Sequence, residues 1–170
     1  FIMEYAQDII YRTDRSGRFT FINPAVIRLL GHHETEMLGH RALDFVHPDY
    51  RRETEYFYFR QFLRKTASTY CEFPLLTHTQ QTLWVGQNVQ LLQRDQEVIG
   101  FQAVVRDISA RKQTEEALRV SQERYRALFE SSPEMLLTVD ARGTLLTVNT
   151  TTAAELGYEA DELIGQPVAR

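Results

Sequence analysis

The first part of this chain recurs near its end. Displaced by 126 positions and without a gap, Glu4, Asp14, Gly17, Asn23, Leu30, Gly31, Glu36 and Gly39 return as Glu130, Asp140, Gly143, Asn149, Leu156, Gly157, Glu162 and Gly165. Eight identities in one register, several of them turn and cap residues, mark one structural unit used twice. The second copy stops at the counterpart of residue 44. Less than half a unit is not expected to close a core alone, and the chain reads as a fragment of a longer protein.

Between the copies lies Asp107 to Glu130. From Ser109 to Phe129 there is no Gly or Pro, and Ala, Leu, Glu, Gln, Arg and Lys dominate, the residues that lose least on entering a helix. One continuous helix is expected. Arg111, Thr114, Leu118, Ser121, Tyr125 and Leu128 step by alternating threes and fours, the spacing of a coiled-coil seam. Half of these positions are polar, so a parallel dimer seam and a plain spacer helix both stay open.

The rest of the composition narrows the partners. A net charge of −4 with no block of Lys and Arg lacks the basic face of nucleic-acid binders, and no direct nucleic-acid contact is expected. No run reaches the roughly 18 apolar residues of a membrane span, so no membrane contact by this segment is expected. The single cysteine, Cys71, allows no internal disulfide and suits a reducing compartment. A cytoplasmic location is expected, with anchoring of a longer parent left open.

Within the first copy, Ile9–Asp14 and Arg18–Asn23 are β-rich runs around Arg15-Ser16-Gly17, which predicts a hairpin. Asn23-Pro24 predicts a helix start with Asn23 as cap, ended by Gly31, and a second short helix runs from about Glu34 to Leu38. His47-Pro48-Asp49 leads into a longer helix from Tyr50 to about Lys65, carrying Tyr56, Phe57, Tyr58, Phe59, Phe62 and Leu63. Three strands follow, Thr69–Thr77, Thr82–Leu92 and Val98–Asp107, turning at Gln80-Gln81 and Arg94-Asp95-Gln96. This order describes an antiparallel sheet with its helices gathered on one side, an α+β fold.

Asp14…Gly17…Phe21-Ile22-Asn23, the Leu30-Gly31 and Leu38-Gly39 helix ends, His47-Pro48-Asp49, Trp84-Val85 and above all Gly100…Arg106-Asp107-Ile108-Ser109-Ala110-Arg111-Lys112 resemble a PAS domain with its C-terminal PAC motif. The likeness covers residues 4–112, and residues 130–170 resemble the first half of another copy. It implies a five-stranded antiparallel sheet, helices over one face, a small enclosed pocket and a long connecting helix. The expected limits are a sensor domain at 1–108, a helical linker at 109–129 and the start of a second PAS domain at 130–170. The resemblance further implies a sensory or dimerisation module of a bacterial signalling protein. The parent expected is a histidine kinase, the alternative a diguanylate cyclase or phosphodiesterase.

Strand alternation picks the pocket wall. Cys71, Phe73 and Leu75 share the inner face of one strand, with Glu72 outside. Placing Trp84 outward, as in the family, leaves Val85, Gln87, Val89 and Leu91 inward on the next. Phe101, Ala103 and Val105 face inward on the last, and Phe57, Tyr58 and Phe62 close the helical side. Gln87 is then a polar group on an apolar wall, satisfied by backbone or water or else touching a small-molecule ligand. Cys71 reads as a small core residue, with a chromophore or redox role the alternative.

No cofactor is assigned. His32, His33, His40, His47 and His78 invite a haem or metal reading, and Cys71 a flavin one. The histidine spacing fits no closed metal site, and the cysteine motif of the flavin-photosensing branch is missing. No nucleophile–base pair or phosphate-binding loop appears, so this segment is not expected to be an enzyme. Occupancy of the pocket is expected to act on the connecting helix through Asp107, Ile108, Leu118, Tyr125 and Leu128. Asp107 either anchors the strand end through a basic group such as Arg12 or serves as the helix's N-terminal charge. The competing expectation is a module that holds two chains together as a homodimer without a ligand.

Overall fold

The computed structural model describes residues 7–168. Their contacts divide them into two compact units that meet in the chain at Gln113 and Thr114. In the first, β1 (Ile9–Asp14) and β2 (Phe19–Ile22) form the hairpin. Asp14 Oδ1 accepts the backbone N–H groups of Ser16 and Arg18 at 2.8 and 3.0 Å, and Gly17 supplies the positive φ of 77° that the turn needs.

Three helices and a 3₁₀ turn follow: α1 (Ala25–Leu30), α2 (Glu34–Met37), the turn Ala42–Phe45, and α3 (Pro48–Arg64). Two sequence expectations are corrected here. The capping position of α1 falls to Pro24, because the Asn23 side chain is used elsewhere: its Oδ1 accepts the Ile10 N–H at 2.9 Å and its Nδ2 donates to the Asp8 carbonyl at 3.1 Å. Helix α3 starts two residues early, since Pro48 fits the first helical position and His47 Nδ1 accepts the Asp49 N–H at 3.4 Å.

The long strands β3 (Ser68–Leu76), β4 (Thr82–Arg94) and β5 (Glu97–Asp107) complete a five-stranded antiparallel sheet ordered β2-β1-β5-β4-β3. Arg94 pairs with Glu97, and Asp95 and Gln96 turn between them with φ of 51° and 67°, the left-handed pair that a tight hairpin requires. The core cluster includes Ile9, Val26, Leu30, Met37, Val85, Val89, Ala103 and Val105. Sheet and helices bury it between them, as an α+β layer pair must.

From the last strand the chain enters α4 (Ser109–Ser131). The second unit contains β6 (Leu137–Val139), β7 (Leu145–Val148), α5 (Thr150–Leu156) and α6 (Ala160–Leu163). Its hydrogen bonds repeat those of the first unit at the offset of 126. Asp140 Oδ1 accepts from Arg142 and Thr144 N–H at 2.8 and 2.9 Å. Phe19 N–H bonds the His40 carbonyl and Leu145 N–H the Gln166 carbonyl, at 3.0 and 2.9 Å. Asn149 accepts from Leu136 N–H at 3.0 Å and donates to the Glu134 carbonyl at 2.9 Å, the Asn23 clasp again. Glu4, the first member of the repeat, lies outside the described residues, while Glu130 accepts from Thr150 N–H and hydroxyl at 3.0 and 2.7 Å.

Candidate functional site: an apolar cavity and a strand-to-helix latch

Between the sheet and α3 lies a cavity of about 320 Å³. Its sheet wall is built from Tyr11 and Thr13 of β1, Phe19 of β2, Phe73 and Leu75 of β3, Gln87 and Val89 of β4, and Phe101 of β5; Tyr58, Phe59 and Phe62 of α3 close the opposite side. Arg41 and Glu55, paired at 3.0 Å, stand at the rim with the turn residues Arg15 and Ser16. Such a lining, mostly aromatic and aliphatic with few polar groups, is how small-molecule sites are made.

The polar groups converge. Gln87, 1% exposed, donates through Nε2 to the Tyr11 and Tyr58 hydroxyls at 2.7 and 2.6 Å. The Tyr58 hydroxyl also lies 3.7 Å from Cys71 Sγ. Burial raises both phenols well above their ordinary range and pushes the Cys71 thiol up to about 11, so all three are protonated at neutral pH. A protonated buried thiol is a poor nucleophile and metal ligand. Thr13 Oγ1 is buried in the same wall without a hydrogen-bond partner among the described residues.

Of the pocket residues expected from sequence, Tyr58, Phe62, Phe73, Leu75, Gln87, Val89 and Phe101 line this cavity, whereas Phe57, Cys71, Val85 and Val105 do not. Val85 and Val105 face the predicted side but are 1% and 2% exposed, wholly covered by core neighbours. Phe57 packs edge-on against Tyr58 at 5.8 Å, and Cys71 sits behind the Tyr58 hydroxyl. Tyr11, Thr13 and Phe19 were missed. Alternation of Ile9, Tyr11 and Thr13 held the signal, since all three are buried on one face of β1.

At the end of β5 a second constellation fixes the start of α4. Asp107 Oδ1 accepts the Ser109 N–H at 2.8 Å where the strand gives way to α4. The strand-anchor alternative is set aside, because Arg12 Nε bonds Gln102 at 2.8 Å and Arg106 pairs with Asp8 at 2.8 Å. Ile108 N–H donates to the Trp84 carbonyl at 2.9 Å, and Trp84 N–H to Ser109 Oγ at 3.1 Å. On the outer face of β3, Glu72 receives Arg111 at 2.7 Å, Lys112 at 2.9 Å and the Tyr70 hydroxyl at 2.9 Å. Led by Lys112, these donors hold its carboxyl at about 2. Lys112 also lies 5.1 Å over the Trp84 ring. Further along α4, Leu118, Tyr125 and Leu128 are 58%, 61% and 64% exposed.

The histidines separate into different settings. His47 caps α3, and His33 Nδ1 lies 3.0 Å from Thr35 Oγ1. His32 and His78, far apart in sequence, come together beside Glu36. None of the histidines lines the cavity. Among the described residues no helix is long and apolar enough to cross a membrane.

The family model for the PAS fold matches residues 1–108 and 123–170. No curated protein sequence matches the chain. Solved structures do. A PAS domain from Colwellia psychrerythraea aligns with a TM-score of 0.58 at 17% identity, over 62% of this chain and 90% of its own. A sensory box histidine kinase/response regulator from Burkholderia thailandensis aligns at 0.59 and 23%, over 72% and 93%. The N-terminal domain of a diguanylate cyclase with PAS/PAC sensor, from Marinobacter aquaeolei, aligns at 0.56 and 18%, over 62% and 98%. These likenesses establish the fold, and with the family model covering most of its length the chain belongs to the PAS family.

Proposed function

We propose that this chain is a sensory and relay segment of a signalling protein, in which a small molecule held in the cavity acts on α4 through the latch at Trp84 and Asp107–Lys112. The observation that carries it is the cavity itself with its polar cluster: two phenols gathered on one buried amide in a wall of aromatic and aliphatic side chains. The ligand that fits is small and largely apolar, with one or two hydrogen-bonding atoms. A volume of about 320 Å³ is at the low end for ligand sites, and no imidazole faces it, which favours a metabolite over haem or flavin. Residues 1–108 form the PAS/PAC sensor in this reading, 109–129 the linker, and 130–170 the opening of a second PAS domain, supported by the repeated hydrogen bonds. The parent is a histidine kinase on the sequence resemblance, with a diguanylate cyclase or phosphodiesterase as the other assignment.

The exposed Leu118, Tyr125 and Leu128 on α4 favour a second reading, in which the module pairs chains and holds no ligand. Absorbance of the purified chain, followed by mass spectrometry of what denaturation releases, separates the two. A stoichiometric small molecule is expected. A folded chain that releases nothing and sediments as a dimer would replace the sensor by the pairing module.

A further inference from the structure

We propose that His32, Glu36 and His78 form a site for one divalent transition-metal ion of the zinc class, separate from the cavity. Each residue offers a ligand atom, and the three atoms all lie within 4.8 Å of one another. They come from distinct segments: His32 from the turn after α1, Glu36 from α2, His78 from the turn between β3 and β4. His32 and Glu36 stand four residues apart, and the fold adds His78 from the β3–β4 turn, the convergence of donors that a metal needs.

The segments are held. His78 N–H donates to the Leu30 carbonyl at 2.7 Å, and Thr77 N–H to the Gln81 carbonyl at 2.9 Å, while Gln81 N–H donates to Thr77 Oγ1 at 3.0 Å. Gly31 ends α1 in the left-handed region at φ of 72°, turning the chain directly into His32. The His32 ring is braced edge-on by Phe45 at 5.2 Å and faces the His78 ring at 5.2 Å. The Glu36 carboxylate is oriented by the His33 N–H at 3.0 Å, the kind of supporting bond that positions metal ligands.

Ligands of a tetrahedral ion with bonds near 2 Å lie roughly 3.4 Å apart. Side-chain rotation of the exposed Glu36 and His78 covers the remaining gap. Two nitrogens and a carboxylate suit zinc, nickel, copper or cobalt over magnesium and calcium. Three protein ligands leave one position for water or for a group on another molecule. A bound ion would tie the α1–α2 turn to the β3–β4 turn, giving the sensor domain an input independent of the cavity.

The test uses the whole chain, untagged and stripped of metal, titrated with Co²⁺ and then with Zn²⁺. The expected result is one Co²⁺ per chain, with the visible ligand-field bands of a low-coordinate nitrogen and oxygen site, displaced by one Zn²⁺. His78→Ala, on an exposed turn, and Glu36→Gln should each weaken binding roughly 10- to 100-fold or more, as should His32→Ala if circular dichroism shows it folded. His40→Ala should leave affinity unchanged. Binding of equal strength in a His32→Ala/His78→Ala double variant would overturn the site. So would the absence of binding, or a thiolate-to-cobalt band placing the ion on Cys71.

Discussion

The amide of Gln87 holds the Tyr11 and Tyr58 hydroxyls at 2.7 and 2.6 Å, which fixes a rotamer on α3 against strands β1 and β4. Replacing it by Leu keeps the volume but leaves two buried phenols to find other partners. Gln87→Leu should therefore cost about 1–3 kcal/mol in denaturant unfolding and lose the co-purifying ligand. Unchanged stability together with unchanged retention would remove Gln87 from the site. Its inward direction was legible from strand alternation, as was the identity of seven wall residues. Depth was not: Val85 and Val105 alternate onto the same face, yet core neighbours fill the space over them, and no local pattern encodes that. Tyr11 and Thr13 belong to a short strand whose place is set by pairing with β5, about ninety positions away, at Tyr11–Ala103 and Thr13–Phe101.

At the start of α4 the last strand of the first unit's sheet runs into the long helix. The helix was legible, because propensity acts over a few residues. The Glu72 cluster was not, since Glu72 and Arg111 are 39 positions apart and only the fold makes them neighbours. With its folded value at about 2 against an ordinary 4.5, Glu72 adds stability that is present above pH 4.5 and is lost as the pH falls towards 2. Glu72 sits on the surface, so the contribution is at most about 1 kcal/mol. Glu72→Gln should remove that part of the acid dependence and loosen the first turn of α4, read by comparing unfolding curves at pH 6 and pH 3 (on the order of the window the shift spans). Parallel curves for the two proteins at both values would show that Arg111 and Lys112 do not hold the helix through this carboxylate.

Across the molecule, one design accounts for both units. The hairpin, the asparagine clasp and the glycine turns recur with the same partners, but the apolar faces differ. Ile9 and Leu30 are 2% exposed in the first unit, while their counterparts Met135 and Leu156 are 48% and 46% exposed in the second. The first unit extends its hairpin with β5, β4 and β3 into a five-stranded sheet, whereas β6 and β7 form a two-stranded sheet. Repeat spacing made this visible in the sequence, because turn glycines and capping side chains are local requirements that any copy must meet. What the repeat could not reveal was the pairing of His32 with His78, which lies partly outside the repeated segment.

In the proposed function the state of the cavity reaches α4. Amide hydrogen exchange on the wild-type chain and on Val89→Phe, which fills the cavity from β4, puts that coupling to the test. Several-fold changes in exchange are expected at Trp84 and at Ile108–Lys112, the latch residues, in addition to those around position 89. Changes confined to the cavity wall, with the latch amides exchanging as in the wild type, would contradict it.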